Sequence, residues 1–565
     1  EIDIISFVSF TGDLMSFWKY LSLITSLLLS FNLHLNAESL TNQPHIWPLP
    51  VNFFSGNQVV SVDPSLSLVA SGPGGESEIL QSAFLRYKKI IFKHAAAFLR
   101  GSNKRMVYDI TKLNINVQSD DEELRLGVDE SYTLFAASND ETSIIEALSI
   151  HANTVYGALR GLESFSQMCI FDYATKSIQI HNAPWYIEDH PRFPYRGLLL
   201  DSARHFLPTD VIKEIIESMS YAKLNVLHWH ILDEQAFPME IPSYPKLWEG
   251  SYTKWERYTT EDAREIVNFA KMRGINVMAE IDVPGHAESW GVGYPDLWPS
   301  FSCKEPLDVS KNLTFSVIDG ILTDLRKIFP FELFHLGGDE VDTSCWNSTP
   351  HIKSWLDDRN MTAEDAYRYF VLRAQKLAIS KNWTPVNWYV RQLNCFTIKC
   401  VFIREETFTH FGSNLSPQTV VHNWLRDGVC KEAVEEGFKC IYSSQAYWYL
   451  DHLDVPWERV YQAEPLDGIH VPSEQDLIIG GEVCMWGETA DASDIQQTIW
   501  PRAAAAAERL WSNREAVSTG YTNETVFHRL HHFRCLLNQR AVAAAPLNNP
   551  YARQPPIGPG SCYVQ

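Results

Sequence analysis

Positive charge is scarce in this 565-residue chain: 47 Lys and Arg stand against 69 Asp and Glu, a formal net charge of −22. Phosphate backbones need a basic surface, so nucleic acid is excluded as a partner. Long apolar runs are missing beyond the amino terminus, which leaves no stable membrane span. There is no Walker-type phosphate loop and no dinucleotide fingerprint. His228 and His230 alternate along a candidate strand and share one face, a plausible metal-ligand spacing. No Cys/His/Asp set completes that site, so no metal or other cofactor is expected.

Aromatic residues, in contrast, are plentiful, with 18 Trp, 23 Tyr and 29 Phe. Many belong to the core that an apolar fraction of 45% provides. Tryptophan beside polar residues also suits a sugar site, because pyranose C–H faces stack on indole while the hydroxyls seek carboxylates. After Lys19 the apolar stretch Tyr20–Phe31 reads as a signal peptide, with cleavage expected at Ala37/Glu38. Residues Glu1–Leu14 precede the first methionine, Met15, and read as upstream sequence. Passage through the secretory pathway, to the vacuole or the extracellular space, makes pairing expected for most of the 10 cysteines. It also gives meaning to the sequons at Asn312, Asn347, Asn360, Asn414 and Asn523. A further sequon at Asn382 stands directly before a candidate strand and is the least suited to carry a glycan.

Residues 38–190 read as a small α+β domain, with strands at Leu113–Val117, Leu124–Val128 and Tyr132–Ala136 and a helix at Gly157–Met168. The Pro-rich Asp189–Pro194 marks a boundary. From there to residue 565 apolar runs of strand length recur, each followed by a helical pattern. They are Arg196–Asp201, Leu224–Asp233, Ile275–Asp282, Phe331–Asp339, Thr384–Trp388, Thr419–Trp424, Lys439–Ser444 and Leu477–Met485. The fold class is therefore α/β, a (β/α)8 TIM barrel preceded by a smaller α+β domain. Asp201, Asp233, Asp282, Asp339, Glu340, Trp388, Trp424 and Glu488 fall at or just past the carboxyl ends of these runs. In a barrel those ends form one rim. Any one of them could instead cap the next helix; their alignment together favours one pocket.

The sharpest motif is Phe334-His335-Leu336-Gly337-Gly338-Asp339-Glu340. Two glycines allow close approach of the backbone to a ligand, and two acids follow. Glycosidic cleavage needs one protonated carboxyl for the leaving oxygen and a nucleophile or negative charge at the oxocarbenium-like carbon. Adjacent acids cannot readily flank a sugar from both faces, so the second need not be the nucleophile.

With Arg196–Asp201, His228–Asp233, Asp282-Val283-Pro284-Gly285-His286, His335–Glu340 and Trp486-Gly487-Glu488 in this order, the chain resembles family 20 β-N-acetylhexosaminidases, and among them the plant vacuolar type. The resemblance implies an exo-acting, retaining hydrolase of terminal GlcNAc or GalNAc on N-glycans and chito-oligosaccharides. Its nucleophile would be the substrate's own 2-acetamido oxygen, the substrate-assisted exception for which this family is known. By resemblance Asp339 orients the acetamido nitrogen, Glu340 is general acid and then base, and Tyr449 binds the acetamide oxygen. Trp388, Trp424 and Trp486 would wall the sugar, while Arg196, Asp451 and Glu488 hold its outer hydroxyls. Asp233 and His286 would support the acid. Read bare, His286 could be a turn histidine, Trp424 core, and Arg196 a structural partner of Asp201. The resemblance also implies disulfides Cys303–Cys345 and Cys535–Cys562 and association as a homodimer. Proximity adds Cys430–Cys440 and leaves Cys169 and Cys484 as buried thiols.

One segment departs from the pattern. In plant relatives the Glu405-Glu406-Thr407-Phe408 stretch would follow Trp388 directly, so Tyr389–Arg404 reads as an insertion and, by hypothesis, a retained intron or an error in the gene's reading, with a functional loop as the alternative. That segment is the ground for an alternative, a catalytically impaired sugar-binding protein on the same fold.

Overall fold

The computed structural model describes residues 44–93, 107–137, 147–389, 415–518 and 523–547. Residues 1–37, Asn414, Cys562 and all of the Tyr389–Arg404 segment except Tyr389 lie outside them.

The first domain is a six-stranded sheet of β1 (Asn52–Ser71), β2 (Ile110–Val117), β3 (Tyr132–Ala136), β4 (Leu148–Ala152), β5 (Ile170–Asp172) and β6 (Ser177–Asp189), in the order β1-β2-β4-β3-β6-β5. Alternation makes one face apolar: Tyr132, Leu134 and Ala136 of β3 are buried while Thr133 and Phe135 are less so. Helices α1 (Glu78–Ile91) and α2 (Val155–Met168) cover that face. Thr154 caps α2 by accepting the Gly157 N–H at 3.2 Å. Every residue of α2 is buried, because its other side meets the barrel. Gly161 is needed there, since a Cβ would lie 2.7 Å from the Ile150 side chain.

The strand expected at Leu124–Val128 does not form. This stretch has no ladder partner and lies instead across the barrel's amino end. There the Leu126 N–H donates to Glu332 at 2.8 Å and its side chain packs on the buried cluster that includes Tyr195, Phe331 and Ile441. A plug and a strand carry the same apolar alternation, which is why pattern alone cannot separate them.

The barrel closes from β7 (Tyr195–Asp201), β8 (Val226–His230), β9 (Asn276–Glu280), β10 (Leu333–His335), β11 (Thr384–Tyr389), β12 (Val420–Asn423), β13 (Lys439–Tyr442) and β14 (Ile478–Met485). All its pairings are parallel. Helices α3 (Thr209–Tyr221), α4 (Thr260–Lys271), α5 (Asn312–Leu325), α6 (Ala363–Ser380), α7 (Val429–Glu435) and α8 (Arg502–Trp511) belong to the outer layer, followed by α9 (Asn523–Gln539). Thr259 with Asp262, and Thr362 with Asp365, form capping boxes for α4 and α6.

Buried ion pairs join sheet and barrel. Glu130 accepts from Arg160 at 2.6 Å and from Arg196 at 2.5 Å; Lys223 meets Asp189 at 2.8 Å. Disulfides form between Cys303 and Cys345 and between Cys430 and Cys440, while Cys169 and Cys484 are free. The first ties the loop after β9 to the loop after β10 and so fixes two walls of the rim. Closing that 42-residue separation contributes about 4 kcal/mol in the chain-entropy account. Asn312, Asn347 and Asn360 are exposed, as is Asn382.

Candidate active site

Past the end of β10 the chain turns through Gly337 (φ +60°) and Gly338 (φ +101°) to present Asp339 and Glu340. Glycine is obligatory at 337, where a Cβ would stand 2.0 Å from the Asp282 carboxyl carbon. Asp282 holds the turn by accepting the Gly338 N–H at 2.8 Å. From the other side Asn387 donates to Gly337 O at 3.0 Å and the Tyr367 hydroxyl donates to Gly338 O. Glu340 itself sits at φ +52° and His286 at φ +53°, left-handed conformations that are strained for such residues. Burial, and then the neighbouring Asp339, push the Asp282 carboxyl well above the usual range.

A cavity of about 200 Å³ opens over this turn. Asp339, Glu340, His286, Tyr449, Trp424, Asp451, Trp486 and Glu488 line it together with Arg204, His230, Asp282, Gln445 and His452. Sequence-distant residues thus meet at one rim, as the strand ends required. Trp388 is 1% exposed and lies beneath, in a cluster with Tyr449, Trp424 and Trp486, its ring centroid 5.9 Å from that of Trp486. The Trp424 and Tyr449 rings are stacked at 6.5 Å. Asp339 Oδ1 and Asp451 Oδ1 are buried without a hydrogen-bond partner among the described residues.

Behind the acids runs a chain of polar contacts. His286 Nε2 stands 3.6 Å from Glu340 and 3.9 Å from Asp339, and its Nδ1 is 3.1 Å from Asp233 Oδ1. Asp233 Oδ2 meets His230 at 2.7 Å and Arg204 at 2.8 Å. Burial opposes the charge on Asp233, but His286, His230 and Arg204 together hold its carboxyl well below the ordinary range. His286 is held well above its ordinary range, against burial, by Asp282 and Asp233. Asp233 is therefore a carboxylate and His286 a cation beside Glu340.

Arg196 requires a correction: the structure does not bring it to the cavity. It stands near the amino end of β7, wholly buried, donating to Glu130, Lys223 O and Phe193 O. Its partner is not Asp201 either. The cavity arginine is Arg204, just past the carboxyl end of the same strand. It pairs with Asp201 at 3.1 Å and lies 5.1 Å from the centre of the Trp486 ring. Strand polarity was the available signal: a residue one position into a barrel strand faces the floor, and a residue beyond its end faces the rim. Asp201 serves the rim by accepting from Arg204 and from the Gly487 N–H at 2.9 Å.

His228, Glu280 and His335 approach closely enough to share a cation, as do His228, His422 and Glu482. The imidazoles there stand within 3.3 Å of carboxylates or of one another.

Residues 193–514 match the glycosyl hydrolase family 20 catalytic domain, and residues 46–168 match the beta-acetyl hexosaminidase like family. The chain is 66% identical over 529 residues to Beta-hexosaminidase 1 of Arabidopsis thaliana, covering 92% of this chain and 94% of that one. It is 51% identical over 524 residues to Beta-hexosaminidase 3 of the same plant, with the same coverage. Among solved structures, the Flavobacterium johnsoniae chitobiase superposes with a TM-score of 0.73 at 26% identity, covering 88% of this chain and 73% of that one.

Proposed function

Because the chain belongs to glycosyl hydrolase family 20 and is a glycoside hydrolase of the β-hexosaminidase kind, we propose that it removes terminal, non-reducing β-linked GlcNAc or GalNAc from N-glycans and chito-oligosaccharides by substrate-assisted catalysis. The observation that carries this reading is Asp339 Oδ1, a buried carboxylate oxygen without a partner among the described residues, in a sugar-sized cavity beside Glu340. An acceptor so placed awaits an N–H, and the 2-acetamido group supplies one.

With the terminal sugar in the cavity, its acetamido oxygen attacks C1 and the bond to the leaving oxygen breaks. Glu340 gives that oxygen its proton. As the amide nitrogen gains positive character, Asp339 accepts its N–H and Tyr449 donates to the acetamide oxygen, aligning it for attack. Water then attacks C1 of the cyclic intermediate, breaking the C1 bond to the acetamide oxygen and restoring the acetamido group, while Glu340 takes a proton back from the water; the two inversions return the original configuration. An attached nucleophile avoids the entropy of bringing one in, an advantage of about 7–11 kcal/mol in favourable cases. Trp424 and Trp486 wall the ring, and Trp388, which the sequence had placed beside them, supports them from beneath. Arg204, Asp451 and Glu488 take the outer hydroxyls, Arg204 in the role the sequence had given to Arg196. A small cavity with indole walls favours exo action.

The two disulfides and the exposed sequons at Asn312, Asn347 and Asn360 support a glycoprotein of the secretory pathway, with the vacuole or the extracellular space as its proposed destination. Homodimer formation belongs to the same proposal and is checked by sedimentation velocity. Activity is tested with chromogenic N-acetyl-β-glucosaminide, N-acetyl-β-galactosaminide and plain β-glucoside substrates. Hydrolysis should require the acetamido group, and a thiazoline mimic of the cyclic intermediate should bind far more tightly than product. Equal turnover of the plain glucoside would overturn the mechanism.

A further inference from the structure

Below the cavity the barrel axis carries a second group of charges that the reaction as derived does not use. Its centre is Glu280, the last residue of β9, wholly buried. Oε1 accepts the Trp388 indole N–H at 2.9 Å and lies 2.7 Å from His335 Nδ1. Oε2 lies 2.5 Å from His230 Nδ1 and 3.1 Å from His228 Nε2. One carboxylate therefore touches both the indole beneath the sugar site and a histidine that leads to the acid.

His230 is the connecting residue. Its Nδ1 faces Glu280 and its Nε2 faces Asp233 Oδ2 at 2.7 Å. An ionised carboxylate only accepts, and a neutral imidazole has a single N–H. His230 can satisfy both neighbours only as an imidazolium. The other oxygen of Asp233 holds His286, whose far nitrogen faces Glu340.

We infer that Glu280 is a positioning residue of the glycosidase site: by keeping His230 doubly protonated it fixes Asp233, and through Asp233 the ring of His286 behind Glu340, while its second oxygen fixes the Trp388 indole. The inference rests on the reading of Glu340 as general acid.

The surroundings support it from each packed element. Asp201, at the end of β7, and Arg204 complete the charges near His230, with the Trp486 ring edge-on at 5.1 Å. On the far side His228 bridges Glu280 to Glu482 of β14, which also accepts the Tyr195 hydroxyl. His335 meets His422 of β12 at 3.3 Å, and His422 meets Ser443 at 2.9 Å. Burial drives both His335 and His422 below their ordinary range. Burial works against His230 too, yet Glu280 and then Asp233 bring it up to about 10. The Glu280 carboxyl is held well below its ordinary range by His335, His230 and His228, against burial. Removing the Glu280 charge leaves burial as the larger influence on His230, whose second proton is then lost as pH rises through the working range.

The test is Glu280→Gln, which keeps shape and removes charge. We expect kcat/KM to fall about tenfold or more, chiefly in kcat, less than the ~10²–10⁴ of losing the acid itself. The alkaline limb of its pH profile should move to lower pH by about one unit or more. Glu482→Gln removes an equally buried carboxylate that does not touch His230, and should lower the melting temperature while leaving that limb in place. A Glu280→Gln enzyme with reduced activity and an unmoved limb, or a Glu482→Gln enzyme with the same shift, overturns the inference and leaves Glu280 a structural residue. Should Glu280→Gln not fold, ¹⁵N-histidine spectra of the unaltered protein decide. Both His230 nitrogens must remain protonated through neutral pH, and a neutral His230 there overturns the inference equally. Failure of the parent reading is separate, because it would show as near-normal turnover in Glu340→Gln.

Discussion

Arg196 and Arg204 flank one strand, and the contrast between the floor and the rim of the barrel is contained in them. At the floor, Arg196 donates to Glu130 and two main-chain carbonyls, and Glu130 also takes Arg160. At the rim, Arg204 is paired with Asp201 and Asp233, but Asp339 and Asp451 each keep a buried oxygen without a partner among the described residues. Two rim residues, His286 and Glu340, also hold left-handed backbones. The floor uses charge to orient one domain on the other. The rim leaves hydrogen-bonding capacity open and tolerates strain, which is the signature of a surface completed by a ligand.

The sharpest way to break this contrast is at Glu340. Its side chain is 59% exposed, so Glu340→Gln should leave the melting curve almost unchanged while kcat falls about 10²–10⁴-fold, the scale of a lost general acid. Near-normal turnover on a chromogenic N-acetylglucosaminide would remove Glu340 from that role. Next comes the arginine pair. Arg196→Met removes one of the two arginines from buried Glu130 and leaves the Lys223 and Phe193 carbonyls without its N–H groups, and should cost about 3 kcal/mol or more of stability in a denaturant titration, with KM unchanged in the molecules that remain folded. Arg204→Met should do the reverse, lowering kcat/KM roughly 10- to 100-fold through lost charged hydrogen bonds, with the smaller loss of stability. If Arg196→Met weakened sugar binding at full stability, the assignment of floor and rim would be inverted.

How far the sequence could be read follows the same division. The barrel was legible because strands covered on both faces are apolar along their whole length. Their carboxyl boundaries were overrun: the ladders stop at His230, Glu280, His335 and Asn423, short of Asp233, Asp282, Asp339 and Trp424. Of these overrun residues Asp282, Asp339 and Trp424 leave the ladder to enter the cavity and Asp233 stands buried behind it, and composition does not register where pairing ends. Asp339, Glu340, Tyr449 and Trp486 were reached through motifs. Arg196 was assigned through a motif without regard to strand direction, and Arg204 was missed for that reason. His228 and His230 were correctly placed on one face. Their carboxylate partners Glu280 and Glu482 lie on other strands, and only register reveals them; His230 pairs directly with Glu280 across β8 and β9.

The smallest predicted effect tests the rim's cost directly. Burial, reinforced by Glu488 and opposed by His452 and Arg502, pushes the Asp451 carboxyl up to about 6. In the unfolded chain it titrates near its ordinary value of about 3.9. Between those two values the folded protein binds a proton that the unfolded chain does not, so stability falls as pH rises through that window and stays reduced above it. Asp451→Asn abolishes the dependence. Its melting temperature should match that of the unaltered protein near pH 4, then exceed it by a margin that grows to a plateau above pH 6, worth up to about 3 kcal/mol. The same variant should bind substrate less well, since the charge that destabilises the empty cavity is the one proposed to meet a sugar hydroxyl. An Asp451→Asn protein less stable at pH 7 would instead place this carboxylate with Glu130 and the floor, among charges whose partners the polypeptide already supplies.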